Sequence, residues 1–472
     1  VGQLRQTLTD EEIERRMTME KKSFAGAWEG EFGSLEYQAV MRKDRAQSIT
    51  IDWESGESNI LSAAEVYELI FNNDQPWFLS ANGTIFTHEF AGVIPGLLER
   101  WYAERQELQT KKKKAIDADN PVETAFWDKR QLVKKINLNS LYGAILNPGC
   151  RFFDTRIGQS TTLTGRCITK HMAAKTNEII TSEYDYRGQS VIYGDTDSVY
   201  FSAYQPLKSE IDAGNIQWTK DSVTQLYDSV AGEVNKSFPK YMQESFNCPA
   251  SYGKLIAAGR EAVGIKGLFI TKKRYAMKIY DLEGETVDKI KAMGLDLKRS
   301  DTPAYIQDFL SDVLDRVLLG AEEDEIMDFI AAFRLEFKKM PGWEKGSPRR
   351  VNKLTEYHSR EKRKGKINMP GHVRAAINWN TLKKVYNDKY SMDIIDGQKC
   401  IVCKLKDNPM GYTSIAYPTD ELRIPDWFKE LPFADDEMEA TLINKKLDNL
   451  IGVLDWDLGA SEADNTFDKL FA

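Results

Sequence analysis

The chain has 472 residues, 42% hydrophobic and 29% charged, with a formal net charge of −8 at neutral pH. This length and apolar content suit roughly two to four packed domains and exclude a disordered chain. The acidic balance excludes a uniformly basic coat but leaves open where the cations lie. Apolar runs such as residues 94–98 are broken well short of the roughly 20 residues needed to cross a bilayer. No charged-then-apolar leader pattern opens the chain, so a soluble, cytoplasmic protein with no membrane partner is expected. Five scattered cysteines, Cys150, Cys167, Cys248, Cys400 and Cys403, make no disulfide framework and suit a reducing compartment.

Residues 1–90 are mixed, with a capping-box-like Thr9-Asp10-Glu11-Glu12 opening an acidic helical stretch. Ile94, Leu97, Leu98, Trp101, Tyr102 and Leu108 then recur at helical period, and the lysines 111–114 suit a helix carboxyl terminus. After a turn-like 117–121, a second helix is predicted from Val122 to about Tyr142, antiparallel to the first. Residues 190–193 and 198–201 read as strands around Gly194-Asp195-Thr196-Asp197, a hairpin with two carboxylates at its tip. Further strands are expected at 268–270 and 274–280, and helices at 303–319 and 322–339. The pattern of elements is α+β.

Between 345 and 374 ten Lys or Arg stand against Glu356 and Glu361, interleaved with Tyr357, His358, Pro370 and His372. Such a segment suits tracking a phosphate backbone better than a plain solvated face. Cys400 and Cys403 form a lone CxxC without two further ligands at matching spacing, so they read as two thiols in a strand. Residues 435–439 are acidic instead.

Asp195 and Asp197, two residues apart in a strand-like segment, are expected to project to one side of the sheet. Paired carboxylates on a hairpin suit Mg²⁺, although the same residues also fit an ordinary polar turn. Lys135, Asn139 and Tyr142 fall on one helix stripe, offering a cation, an amide and an aromatic ring to a triphosphate and its base. A solvated lysine beside a core tyrosine would give the same pattern.

Together these residues resemble family B DNA polymerases. Residues 135–143 are similar to the family's fingers motif Lys-x-x-x-Asn-Ser-x-Tyr-Gly, and Tyr193-Gly194-Asp195-Thr196-Asp197-Ser198 to its palm motif. Lys272-Lys273-Arg274-Tyr275 resembles the Lys-Lys-x-Tyr element that holds the primer-template junction. The order holds over about 380 residues from Phe86 onward and is most similar to replicative polymerases of T-even-type bacteriophages. Met293-Gly294-Leu295 followed by 298–303, and the tail Thr466-Phe467-Asp468-Lys469-Leu470-Phe471, support that subgroup.

The resemblance implies a right-hand architecture with an antiparallel-sheet palm, two-helix fingers and a mainly helical thumb. The implied divisions are a palm remnant with an insertion at 1–90, fingers at 91–145, palm at 146–303, thumb at 304–460 and a clamp-binding tail at 461–472. It further implies two Mg²⁺ ions, with Mn²⁺ able to substitute, on Asp197 and the weaker Asp195, with Glu261 a further acidic position. Arg105, Lys135 and Asn139 would grip the dNTP, and Tyr142 would line the nascent base pair. Lys272, Lys273, Arg274, Tyr275 and Lys298 would hold primer-template DNA. Phe467, Leu470 and Phe471 would dock on a sliding clamp.

The sequence also departs from the family. Gln109 stands where a lysine is usual, which leaves residues 111–114 to supply that charge, and the loop before Lys272 is short. The first palm motif Asp-x-x-Ser-Leu-Tyr-Pro is missing, 52–55 and 32–35 being poor imitations, and so is an exonuclease Asp-x-Glu block. The expected function is therefore DNA synthesis as one half of a split or fragmented polymerase. An amino-terminal partner would supply the other palm aspartate and the 3′–5′ exonuclease, and the chain would begin just downstream of that motif. The alternatives are a non-catalytic DNA-binding subunit, against which the intact carboxylate pair speaks, and another metal-dependent enzyme such as a reverse transcriptase or nuclease.

Overall fold

The computed structural model describes residues 2–6, 45–46, 48–365 and 367–461. The predicted helical opening at 9–16 and the tail lie outside them. The chain divides into two compact units, Val1–Arg260 and Glu261–Ala472.

The first unit begins with a five-stranded antiparallel sheet in the order β3-β2-β1-β5-β4. Its strands are β1 (Gly2–Gln6), β2 (Ser48–Trp53), β3 (Ser58–Ser62), β4 (Trp77–Leu79) and β5 (Thr84–Thr87). Helix α1 (Ala63–Phe71) starts from a capping box between Ser62 and Glu65. Its Val66 and Ile70, one turn apart, pack with Leu4, Ile49, Ile51, Leu79 and Ile85 into a closed core. Asp52 belongs to β2 and accepts a 2.6 Å hydrogen bond from Ser58.

Two long helices follow as a hairpin, α2 (Val93–Asp117) and α3 (Pro121–Ile145), with Asn120 capping α3 and Pro121 in its first turn. Both agree with the apolar period to within a few residues. Helix α4 (Thr155–Thr181) and helix α5 (Lys220–Phe246) have no counterpart in the sequence expectations. They pack through two clusters, one with Cys167, Met242 and Phe246 and one with Val230, Val234 and Phe238. The expected carboxylate hairpin is present as β6 (Val191–Asp195) and β7 (Ser198–Phe201).

The second unit opens with an antiparallel sheet of β8 (Ala262–Thr271), β9 (Arg274–Leu282) and β10 (Glu285–Met293). Helices α6 (Ala304–Leu319) and α7 (Glu323–Lys339) match the predicted pair and bury Phe309, Val313, Ile326 and Ile330 in one core. A further sheet, β11 (Ser347–Arg350), β12 (Lys399–Lys404) and β13 (Ser414–Pro418), packs with helix α9 (Gly371–Val385), which follows α8 (Leu354–Lys364). Residues 304–460 thus combine helices with a three-stranded sheet. Cys400 and Cys403 lie in β12, both buried, and burial pushes the Cys400 thiol up to about 12. They are core thiols.

His171 of α4 is buried against α5, its ring stacked on Tyr241 at 3.9 Å. Nδ1 lies 2.7 Å from the Tyr184 hydroxyl and Nε2 2.8 Å from Ser237 Oγ. Burial, and secondarily Lys175, push its pKa down to about 4. An unfolded histidine protonates near 6.5, so between these values the unfolded state binds the extra proton. His171 therefore leaves stability whole above about pH 6.5 and erodes it as pH falls toward 4, by on the order of 3 kcal/mol. Urea unfolding at pH 7 and pH 4.5 should show that His171→Gln loses this part of the pH dependence; equal slopes in both proteins would contradict the assignment.

Candidate functional site

The carboxylate hairpin is fastened to α4 at both ends. At its base, the wholly buried Asn177 accepts hydrogen bonds from the Ser190 amide at 3.1 Å and the Ser190 hydroxyl at 2.8 Å. The Asn177 amide nitrogen donates to the Glu183 carbonyl at 2.8 Å and to Thr181 Oγ1 at 2.9 Å. Gly188 lies so close to Asn177 that a Cβ there would collide with the amide. At the tip, Thr169 Oγ1 donates to the Thr196 carbonyl at 2.8 Å. Sequence reasoning missed both residues; the available signal was an asparagine and a threonine inside a helical stretch, where neither is favoured unless its side chain has work elsewhere.

Asp195 closes β6 and is half-buried, whereas Asp197 is exposed and sits in the turn. The expectation that both project from one strand face is thereby corrected: the two-residue loop Thr196-Asp197 bends the chain, and the Asp197 amide donates back to the Asp195 carbonyl at 2.6 Å. Both carboxylates still belong to one tight turn. Hard oxygen donors with no thiol or imidazole are the right chemistry for a hard divalent cation. Among the described residues no three His, Cys, Asp or Glu side chains gather as a metal-binding group.

On α3, Gln131, Lys135, Asn139 and Tyr142 follow one another at three- and four-residue intervals along one stripe. Lys135 and Asn139 are exposed, and the Tyr142 hydroxyl reaches the Gly158 carbonyl of α4 at 3.4 Å. Arg105 on α2 joins the stripe from across the hairpin, its Nε 3.4 Å from Gln131 Oε1. The neighbouring cations are committed within the hairpin. Lys112 pairs with Asp128 at 2.8 Å, Lys134 pairs with Glu104, and Lys111 lies 5.1 Å from the Trp127 ring centre. Lys112 and then Gln131 hold the Asp128 carboxyl below its usual range. Two of the lysines at 111–114 thus brace α2 against α3.

In the second unit, Lys272 and Lys273 form the exposed turn between β8 and β9. Gly294, at φ +66°, lies against the Lys273 carbonyl so closely that any side chain would collide, which gives Met293-Gly294-Leu295 a physical reason. Arg274 donates to the Asn449 carbonyl at 2.8 Å, and Tyr275 is buried with its ring stacked on Phe269. These two therefore set the turn from within instead of presenting a surface. Lys298 is exposed, and Glu261 pairs with Lys291 at 2.8 Å, a contact that competes with any metal. Of the basic stretch, Lys345 is buried and paired with Asp435 at 3.0 Å, Arg349 pairs with Asp301 at 2.8 Å and Arg374 with Glu361. Arg350, Lys362 and Arg363 remain exposed. Phe467, Leu470 and Phe471 lie outside the described residues.

The first unit thus joins a two-helix hairpin bearing a cationic and aromatic stripe to a helix that clamps a carboxylate turn. Residues 37–367 match the sequence model of DNA polymerase family B, and the chain belongs to that family. It is 27% identical over 313 residues to the DNA-directed DNA polymerase of Enterobacteria phage T4 and 28% identical over 301 residues to that of Escherichia phage RB69. Each comparison covers 61% of this chain and 33% of the relative. DNA polymerase 1 of Pyrococcus abyssi is 26% identical over 248 residues, 52% of this chain and 27% of the relative. The chain therefore spans about a third of the length of the curated relatives it matches.

Replacing Asn177 by leucine strands the buried Ser190 amide, at a cost of about 1–3 kcal/mol. Asn177→Asp keeps the acceptor for Ser190 but buries a charge and turns its second oxygen toward the Glu183 carbonyl, so at neutral pH it should cost at least as much as the leucine change. Urea unfolding of both variants gives the comparison, and near-parent stability of the aspartate variant would show that shape rather than hydrogen bonding governs this position.

Proposed function

We propose that this chain carries the nucleotidyl-transfer part of a template-directed DNA polymerase, which joins dNTPs to a primer 3′-hydroxyl. The observation that supports this most is the continuity of the first unit: α4 fastens the Asp195/Asp197 hairpin and receives Tyr142 from the helix bearing Lys135 and Asn139. On this reading α2 and α3 are fingers, α4 with the β6–β7 hairpin belongs to the palm, and the helices of the second unit serve as thumb.

Asp197 and Asp195 would hold Mg²⁺, or Mn²⁺ in its place. Two such ions, when bound, would supply Lewis acidity at the α-phosphate and lower the pKa of the primer hydroxyl. Lys135 neutralises triphosphate charge, Arg105 adds the guanidinium nitrogens that Gln131 does not engage, and Asn139 donates from the next turn. Tyr142, tethered by its hydroxyl, offers a fixed ring to the nascent base pair. Lys272, Lys273 and Lys298 contact DNA phosphates, with Arg274 and Tyr275 holding their turn in shape. Positioning and charge neutralisation are the protein's whole contribution.

Two divalent ions need more negative ligands than one carboxylate pair provides. We assign the remaining aspartate to an amino-terminal polymerase segment that also carries the 3′–5′ exonuclease, as a separate polypeptide or otherwise. The tail residues Phe467, Leu470 and Phe471, apolar at one-turn spacing, suit the groove of a sliding clamp.

Primer extension by the purified chain should require Mg²⁺ and the added amino-terminal segment; vigorous extension by the chain alone would refute the division. In the reconstituted enzyme, Asp197→Ala should lower extension by about a hundredfold or more while primer-template affinity stays within about twofold, because phosphate contacts elsewhere hold DNA. Retention of a tenth of the turnover would sink the metal assignment. Lys135→Ala should raise the Michaelis constant for dNTP and slow the reaction. Deleting residues 466–472 should abolish stimulation by the cognate clamp and leave single-turnover incorporation intact.

A further inference from the structure

We propose that Thr169 of α4 is a positioning residue for Asp197, acting through the backbone of Thr196; the inference rests on the reading of Asp197 as a metal ligand. Thr196 has φ +55°, the left-handed side of the backbone map where two-residue hairpins normally place glycine or asparagine. A β-branched residue stays in that conformation only when its surroundings fix it.

Three contacts do so here. The Asp197 amide donates to the Asp195 carbonyl at 2.6 Å, which closes the turn across Thr196. Thr196 Oγ1 donates to Asp195 Oδ1 at 3.1 Å, tying one carboxylate to the strained residue. The Thr196 carbonyl, turned away from the hairpin's own ladder, receives the Thr169 hydroxyl at 2.8 Å. Of these three, the last comes from outside the turn and orients Thr196 relative to the helix.

Thr169 Oγ1 also lies 3.0 Å from the Gly165 carbonyl, the bond a helical threonine makes to its own preceding turn. The single hydroxyl proton is thus shared between helix and hairpin, and the shorter contact is the one to the hairpin. Because Asn177 already secures the base two helical turns further along α4, loss of the Thr169 bond frees the tip without unfolding the hairpin. A freed tip lets Thr196 relax toward negative φ, and the Asp197 carboxylate turns with it. The effect on a divalent ion is a loss of preorganisation rather than of a ligand.

The test compares Thr169→Val, which keeps the shape and deletes the hydroxyl, with Thr169→Ser, which keeps the hydroxyl. Hydrogen-deuterium exchange on the full chain should show the Asp197 amide exchanging about tenfold faster in the valine variant and at the parent rate in the serine variant. In the reconstituted polymerase the Mg²⁺ concentration for half-maximal extension should rise about fivefold to tenfold with valine, with primer-template affinity unchanged, and return with serine. Unchanged exchange and Mg²⁺ dependence in the valine variant would overturn the proposal, and so would equal impairment in both variants, which would point to packing of the methyl group. Failure of the underlying reading is separate: an active Asp197→Ala enzyme would remove the metal from the argument, while the exchange rates would still decide whether Thr169 holds the tip.

Discussion

The placement of the carboxylate hairpin depends on polar side chains that α4 presents to its neighbours. Ser160 meets Ser80, Thr164 receives the Ala81 amide, Thr169 reaches the hairpin tip and Asn177 its base. From Ser160 to Asn177 is about 26 Å of helix. One rigid rod thus fixes the end of the five-stranded sheet and both ends of the carboxylate hairpin. Each bond is worth only about 1 kcal/mol net, but stranding a buried partner costs about 1–3 kcal/mol, so these contacts determine where the strands attach more than how strongly they fold. Apolar packing of α4 against α5 supplies adhesion, and the polar groups supply register.

The same logic explains where the charge goes. Two carboxylates within one turn repel each other and favour an exposed tip, where water or a cation screens them. Exposure alone would leave the tip mobile. Backing it with a threonine and an asparagine from α4 restrains the geometry through uncharged donors and acceptors. Glu261 illustrates the contrast: its carboxylate is already paired with Lys291.

Much of this was legible in the sequence, for identifiable reasons. α2 and α3 have an unbroken apolar period and clean end signals, and the hairpin has β-branched and aromatic strands around an acidic turn. α6 and α7 are amphipathic in the simplest way, and their boundaries agree with expectation to within a few residues. α4 was not legible because Ser, Thr and Asn in 155–181 are mediocre helix formers whose value lies in partners distant in sequence. α5 hid behind Pro239 and a diluted apolar stripe. The same limit applied to the candidate site: residue types pointed to Asp195, Asp197, Lys135 and Tyr142 as candidates, but nothing local says that Asn177 receives Ser190 or that Lys345 is buried against Asp435. In the basic stretch a linear count of cations cannot see the carboxylates that fold back onto Lys345, Arg349 and Arg374.

The α2–α3 hairpin has a different constitution from the rest of its unit, and its chemistry follows from that. Each helix has 25 residues, all described, and only Ala115 and Ile145 among them are buried. Ion pairs and ring contacts hold the two together, Lys112 with Asp128, Lys134 with Glu104 and Trp101, Lys111 with Trp127. Exposed pairs of this kind contribute about 0–1 kcal/mol each and weaken with salt, so the hairpin opens at far lower free energy than the cored α4–α5 pair. Internal pairing also decides which cation is available to a ligand. With its neighbours committed, exposed Lys135 has no ion-pair partner among the described residues, and it stands on the same stripe as Asn139 and Tyr142. The hairpin spends part of its charge on itself, and Lys135 stands free of those pairs on the helix whose Tyr142 reaches the helix that holds the carboxylates.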